Sequence, residues 1–489
     1  MNTLTVQDLG CRYNGGRPVL SGASFFLKEG EAVGIVGPSG CGKTTLAYCL
    51  MGIIPNKVEA EVWGKVYFNN ENILGKNVRD VVGLMNLIMQ NYESQIFGLT
   101  VEEDIRFGLE NLGLDENIIN ERVVWALKNF GLEAYRHYQP SKLSGGLKQR
   151  LAIASTIVMG SNFLIMDDPT SNLDWNGIRC LRDTIFYLKS IGKGVLVLSR
   201  KLKGLESCLD RTYYLNGQLL QVHEQNMPTL EAVRKDFLQG QDNVIGNGAS
   251  IKIEGLWFKY EKNYVLKDIS LEIPYNSIVA IMGPNGSGKT TLVKHFNGLL
   301  KPTKGNVLVD GRNTRNYTPA QLSKYVGFVF QDPDRHIVSE SVLDEVSFAC
   351  KNLGLPLNNV DRALKALNLH EIRDRPPYLL SMGEKVRLMI ASALAVDPKI
   401  LVLDEPTTGQ DDRTLSLIED AIFKMKGEGK TVVIVTHDTD FAMRVSDSVI
   451  VVRDGSVVEY SSAKNVLMDS KKIESYELEP PTLIEKRVE

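Results

Sequence analysis

Gly37-Pro38-Ser39-Gly40-Cys41-Gly42-Lys43-Thr44-Thr45 follows the apolar run Ala32 to Val36 and fits the pattern G-x-x-x-x-G-K-[ST]. Glycines at these spacings let backbone N–H groups crowd around phosphates, and the helix that opens next adds its positive end. Lys43 then reaches the terminal phosphates, and Thr44 offers a hydroxyl to Mg²⁺. The pattern returns after Ile278 to Met282 as Gly283-Pro284-Asn285-Gly286-Ser287-Gly288-Lys289-Thr290-Thr291. Further on, Ser144 pairs with Ser381, Asp167 with Asp404, Asp174 with Asp411 and Arg200 with His437, each 237 residues apart. A constant shift across separated motifs indicates a duplicated domain.

Two domains are therefore expected, residues 1–239 and 251–489, joined by a glycine-rich, polar linker over 240–250. The end, from about Ser470 to Glu489, is charged and broken by Pro480-Pro481, and reads as a loosely held tail. Within each half, an alternating segment, Leu4 to Leu9 or Ile251 to Leu256, reads as an antiparallel strand. Short apolar strands follow at Phe163 to Met166 and Val195 to Leu198, and at Ile400 to Leu403 and Val432 to Val435. Fully apolar strands separated by helices imply an α/β fold with a mostly parallel sheet covered on both faces.

Two of these strands end in paired acids, Asp167-Asp168 and Asp404-Glu405. The first acid of each pair suits a Mg²⁺ shell and the second suits the orientation or deprotonation of water. Composition agrees with a globular chain and excludes disordered, collagen-like and disulfide-scaffold classes: 489 residues, 43% hydrophobic and 24% charged. A net charge of -3 argues against a protein held to nucleic acid by its bulk field. No apolar run reaches the twenty or so residues needed to cross a bilayer. Cys11, Cys41, Cys49, Cys180, Cys208 and Cys350 form no CxxC pair and suit a reducing cytosol. Cys41, inside the first glycine loop, reads as a small filler.

Leu143-Ser144-Gly145-Gly146-Leu147, placed between Gln90 and the acidic strand, resembles the signature of ATP-binding cassette (ABC) proteins. Leu380-Ser381-Met382-Gly383-Glu384, after Gln331, is its altered counterpart. The resemblance implies two P-loop cassettes, each with a parallel core, an antiparallel β subdomain and a helical subdomain carrying the signature. It also implies ATP and Mg²⁺ as cofactors, with Thr44, Gln90, Asp167, Thr290, Gln331 and Asp404 around the metal. Tyr13 and Tyr260 resemble the aromatic residue that stacks on adenine.

In that family two cassettes close head to tail, each nucleotide lying between the glycine loop of one and the signature of the other. On that pattern, site one joins Lys43, Asp168 and Arg200 to the second signature and collects nearly every departure from consensus. Asp168 stands for Glu, Arg200 for the switch His, Met382 for a signature Gly, and Glu384 adds charge. Site two joins Lys289, Thr290, Gln331, Asp404, Glu405 and His437 to Ser144, Gly145 and Gly146, with Leu147 in place of a Gln. Hydrolysis is expected mainly at site two.

The stretches Gln90 to Ile105 and Gln331 to Val346 resemble those of energy-coupling-factor ATPases, which drive uptake of vitamins and of cobalt or nickel. The resemblance implies a transmembrane coupling subunit, a substrate-binding membrane component and a position on the cytoplasmic face of the cell membrane, with no nucleic-acid partner. Glu102, Glu103, Asp104, Asp344 and Glu345 read either as acids meeting basic residues of the coupling subunit or as ordinary helix-start acids. Tandem cassettes of simple-sugar importers and of soluble ribosome-associated proteins are the alternative readings. The former usually have one damaged glycine loop, and the latter two preserved sites and a long charged linker.

Overall fold

The computed structural model describes residues 1–171, 173–216, 218–222 and 248–482. The chain divides into two compact units, Met1–Val233 and Arg234–Glu489. In the first, Thr3–Tyr13 pairs antiparallel with Leu20–Lys28 on one side and with Ala60–Phe68 on the other, and Glu71–Asn72 closes the edge. A second sheet runs Met85–Ile88, Phe163–Asp167, Gly194–Ser199, Ala32–Val36, Arg211–Asn216, Gln218–Val222. Its first five strands are parallel and the last is an antiparallel edge.

The second unit repeats this plan strand for strand. Ala249–Lys259 lies between Tyr264–Pro274 and Lys304–Val309, with Arg312–Asn313 at the edge. The larger sheet runs Val326–Val329, Ile400–Asp404, Thr431–Val435, Ile278–Met282, Ser448–Arg453, Ser456–Ser462.

Every residue of Phe163–Asp167 and of Ile400–Asp404 is buried. Side chains alternate across a strand, so each strand feeds two cores. Leu164 and Met166 join one cluster with Val101, Ile105 and Leu151, whereas Phe163 and Ile165 join another with Leu46 and Leu50. Leu401 and Leu403 divide from Ile400 and Val402 in the same way. Burial on both faces explains why these segments lack the polar alternation of Thr3–Tyr13. The helical region inserted between the first two strands of each larger sheet comprises Val101–Asn111, Glu116–Asn129 and Gly145–Ile157, matched by Val342–Leu353, Asn358–Ala366 and Met382–Ala395.

Two expectations meet the structure at the chain's joints. Of the linker 240–250, residues 240–247 lie outside the described residues, and Ala249 already pairs with Pro274 as strand. The end is not loose over residues 470–482. Ser470–Ser475 is a helix, Ile473 and Leu478 are buried against Ala442 and Val449, and Thr482 donates through N–H and hydroxyl to both Asp440 oxygens, at 2.8 and 2.7 Å. Apolar anchoring outweighs the local charge there.

Candidate functional site

Both glycine loops are built alike. Gly42 and Gly288 adopt φ of 103° and 105°, left-handed conformations that side chains resist, as the N-caps of the helices beginning at Lys43 and Lys289. A Cβ on Gly37 would stand 2.2 Å from the Leu215 carbonyl oxygen, and one on Gly283 2.0 Å from that of Val452. The backbone thus folds tightly against the neighbouring strand end while leaving the loop open above Gly40 and Gly286. Lys43 Nζ donates to the Gly37 and Pro38 carbonyls at 2.7 and 2.9 Å, and Lys289 Nζ to Gly283 and Pro284 at 2.8 and 2.9 Å. Each ammonium arches back over its loop, as a phosphate cradle requires. The Ser287 hydroxyl is buried without a partner.

Hard oxygen donors meet beside each cradle. Thr44 Oγ1 donates to Asp167 Oδ2 at 2.7 Å, and Thr290 Oγ1 to Asp404 Oδ1 at 3.1 Å. Burial pushes the Asp167 carboxyl above its ordinary range, and burial with the neighbouring Glu405 charge pushes Asp404 up to about 6. Buried hydroxyl and carboxylate oxygens fit Mg²⁺, whose charge would favour ionised carboxylates. Tyr13 and Tyr260, at the ends of the antiparallel sheets, place their hydroxyls 3.0 and 3.4 Å from Thr45 and Thr291 of the loops. Cys41 is buried, and burial pushes its thiol up against the pull of Lys43, which suits a filler.

The acids that end the strands share an uncommon backbone. Asp168 and Glu405 have φ of 48° and 54°, and their N–H groups bond the Leu198 and Val435 carbonyls. Non-glycine residues hold such conformations at a cost, and both units hold one at the same place. Their side-chain partners differ. Glu405 Oε2 lies 3.0 Å from His437 Nδ1. Burial opposes charge on His437, but Glu405, aided by Glu479 and Asp438, pushes it up to about 9, so the imidazole is protonated at neutral pH. Asp168 instead accepts from Arg200 at 2.7 Å, from Gln90 at 3.2 Å and from Ser199 at 3.3 Å. Two carboxylate oxygens thus hold three donors.

The signature tips diverge too. Ser144 is the N-cap of Gly145–Ile157 and its side chain makes no cap bond. Ser381, the N-cap of Met382–Ala395, forms a reciprocal box with Glu384. Leu147 packs partly buried against the first unit's core.

Each acid after the two Gln residues has a partner within its own unit, in keeping with the reading of them as helix-start acids. Glu102 is paired with Arg136, and Glu103 caps its helix with Thr100. Buried Asp104 accepts from the Phe97 and Gly98 N–H groups and from Ser155. Asp344 bonds Ser341 and Lys351, and buried Glu345 accepts from the Val338 and Ser339 N–H groups. What these acids hold outward is apolar. Phe97, Leu99, Phe107, Val338 and Phe348 are all exposed, with Phe97 and Phe107 in ring contact at 5.7 Å.

Sequence reasoning missed one duplicated support behind the acids. Thr170 and Ser199 hydroxyls meet at 3.1 Å, and Thr407 and Thr436 at 2.9 Å. The signal was present in the repeated Pro-Thr that follows each acid pair. It missed a second, in which Lys148 pairs with Glu93 and Lys385 with Asp334, tying the segment after each Gln to the signature helix.

Comparison with known proteins agrees with this geometry. The ABC transporter family profile matches residues 20–171 and 266–408. A protein of Methanosarcina acetivorans, provisionally named an ABC transporter ATP-binding protein, is 32% identical over 94% of this chain and 86% of its own length. One of Caldanaerobacter subterraneus with a similar provisional name is 30% identical over 98% and 95%. Among solved structures, the complex of archaeal ribosomal stalk protein aP1 and archaeal ribosome recycling factor aABCE1 matches at 25% identity, covering 94% of this chain and 90% of that one, with a TM-score of 0.63. CbiO1 of Clostridium perfringens, part of the CbiONQ ABC transporter complex, is 37% identical over 46% of this chain and 93% of its own, with a TM-score of 0.43. Two phosphate cradles with their acid pairs, matched twice by one family profile, make this chain a tandem ABC ATPase, a member of the ABC transporter family.

Proposed function

We propose that this chain is the ATP-hydrolysing subunit of an energy-coupling-factor-type transporter, powering import of a vitamin or metal ion from the cytoplasmic face of the cell membrane. The observation that carries the reading is the duplicated apolar face beside each Gln, with Phe97, Leu99 and Phe107 in one unit and Val338 and Phe348 in the other. Exposed apolar clusters held by buried acids mark interaction surfaces. Among the described residues no helix is long and apolar enough to cross a membrane, so transport requires a partner that does. The occupants are cytoplasmic helices of a transmembrane coupling subunit, which joins a substrate-binding membrane component.

Hydrolysis belongs mainly to the second unit's nucleotide. Lys289 would bind the terminal phosphates, and Thr290, Asp404 and Gln331 would hold Mg²⁺, which when bound would supply charge neutralisation at the transferring phosphoryl group. The Glu405 carboxylate takes a proton from water, while His437 Nδ1–H fixes its orientation. In the first unit Asp168 is occupied by three donors, and Arg200 stays charged and relays no proton. That site retains nucleotide.

A soluble, ribosome-associated role is the second reading, favoured by the likeness over nearly the whole chain to a structure containing an archaeal ribosome recycling factor. One fractionation separates them. The tagged chain, solubilised in mild detergent, is expected to bring down membrane proteins identified by mass spectrometry. Co-sedimentation with ribosomes and no membrane protein would overturn the transport reading.

A further inference from the structure

We infer that His336 is a positioning residue for Gln331, its ring closing the neck of the loop that carries this Gln and so holding it where its amide would reach Mg²⁺ beside Thr290 and Asp404. The inference rests on the reading above that Gln331 is a ligand of that metal.

The strand Val326–Val329 ends just before Gln331, and Pro333–Arg335 forms a 3₁₀ turn after it. The chain then returns on itself. The His336 imidazole stacks on the Phe330 ring with centroids 4.1 Å apart and planes 14° from parallel, and Phe330 in turn meets Phe328 at 4.6 Å. Phe328 packs against the core cluster that includes Ile400, Val402 and Val433. A ladder of rings therefore runs from the core to the neck of the loop 331–335, whose first residue is the Gln. A loop closed at its base has fewer arrangements open to it, so the Gln cannot swing with a free segment. Burial, with the charges of Arg335 and Lys294, lowers the His336 pKa against the pull of Asp332, so the ring is neutral at pH 7 and meets Phe330 as an uncharged stack.

The first unit closes the same neck with different chemistry. Gln95 and His336 are each the fifth residue after their Gln. Gln95 Nε2 donates to the Leu87 carbonyl at 3.0 Å, and Gln95 Oε1 accepts from the Met89 N–H at 2.8 Å. Leu87 and Met89 hold the places that Phe328 and Phe330 hold in the second unit. Amide hydrogen bonds and stacked rings share only their result, a closed neck, and that result is what the repeated position serves.

The test uses the full chain with Lys43→Ala, leaving the second glycine loop to bind nucleotide, and reads two quantities. In the chain free of nucleotide and metal, trypsin cleavage after Arg335, followed by mass spectrometry, reports opening of the neck. His336→Ala is expected to speed that cleavage about fivefold or more. With the non-hydrolysable analogue AMP-PNP bound to an excess of chain, calorimetric titration of Mg²⁺ should show an affinity about tenfold weaker in the same variant, the usual loss when a group that orients a metal ligand is removed. His336→Gln writes the first unit's residue into the second, and His336→Phe keeps a ring to stack; each should restore both quantities to within about twofold. Cleavage or Mg²⁺ affinity unmoved by His336→Ala, or a loss that neither replacement restores, overturns the inference. Gln331→Ala separates the premises. If it leaves Mg²⁺ affinity unmoved, the reading of Gln331 as a ligand falls; if it weakens the metal where His336→Ala does not, only the role of His336 falls.

Discussion

Arg200 Nη2 donates to Asp168 Oδ2 at 2.7 Å in the place where, in the other unit, His437 Nδ1 meets Glu405 Oε2 at 3.0 Å. One contact neutralises a carboxylate permanently; the other holds it through a group able to exchange its proton. Glu405→Gln is therefore expected to lower ATP turnover by about a hundredfold or more, the usual loss of a general base. Asp168→Asn should change it less than about threefold. Steady-state phosphate release on both variants measures the difference, and equal losses would remove the asymmetry.

The second loop's tight approach predicts a steric result. Gly283 has φ of 139°, and a Cβ there meets the Val452 carbonyl oxygen at 2.0 Å. Gly283→Ala must displace backbone, so titration with a fluorescent ATP analogue should show at least a tenfold weaker second site. Unchanged affinity would mean that the loop yields without cost.

His295 gives a pH dependence of stability. Its Nδ1–H donates to the Thr291 carbonyl at 2.8 Å, while Nε2 is buried without a partner against Phe258. Burial lowers its pKa from 6.5 to about 4, so the unfolded chain binds the extra proton between those values. Stability is full above about pH 6.5 and falls as pH drops toward 4, by about 3 kcal/mol at most. Urea unfolding across that range should show the slope, and His295→Leu should flatten it.

Leu478 tests the anchored chain end. It is buried with Ala442, Val449 and Ile473. Leu478→Ala should destabilise the second unit by about 2 to 4 kcal/mol in denaturant unfolding, as large-to-small core changes do. A loss under about 0.5 kcal/mol would return the segment to the status of a tail.

Asp104 tests the partner surface. Its carboxylate holds the Phe97 and Gly98 N–H groups from inside the fold. Asp104→Asn should reduce recovery of membrane proteins with the tagged chain several-fold while leaving basal ATP turnover within about twofold. Equal falls in both readouts would point to general unfolding.

What was legible in the sequence was local. The glycine loops, the strands Ala32–Val36 and Ile278–Met282, and the paired acids depend on short runs whose chemistry is self-contained, and the fold carries all of them where the motifs imply. What was not legible depends on distant partners. Glu102 reads as a surface acid until Arg136, 34 residues on, comes to it, and Asp104 until Ser155, 51 residues on, does. Leu478 follows charged residues and precedes two prolines, and only contact with Ala442 reveals it as core. Glu384 was within reach. Ser381-Met382-Gly383-Glu384 is a capping-box pattern, and reading it only as added charge overlooked the hydroxyl it occupies.

The two units are unlike at the tip and at the switch, yet they are covalently one chain. Were they encoded apart, like could assemble with like, and a surplus of either half would titrate out productive complexes. Fusion removes that hazard at translation, because the halves are made in a fixed one-to-one ratio, whatever the expression level.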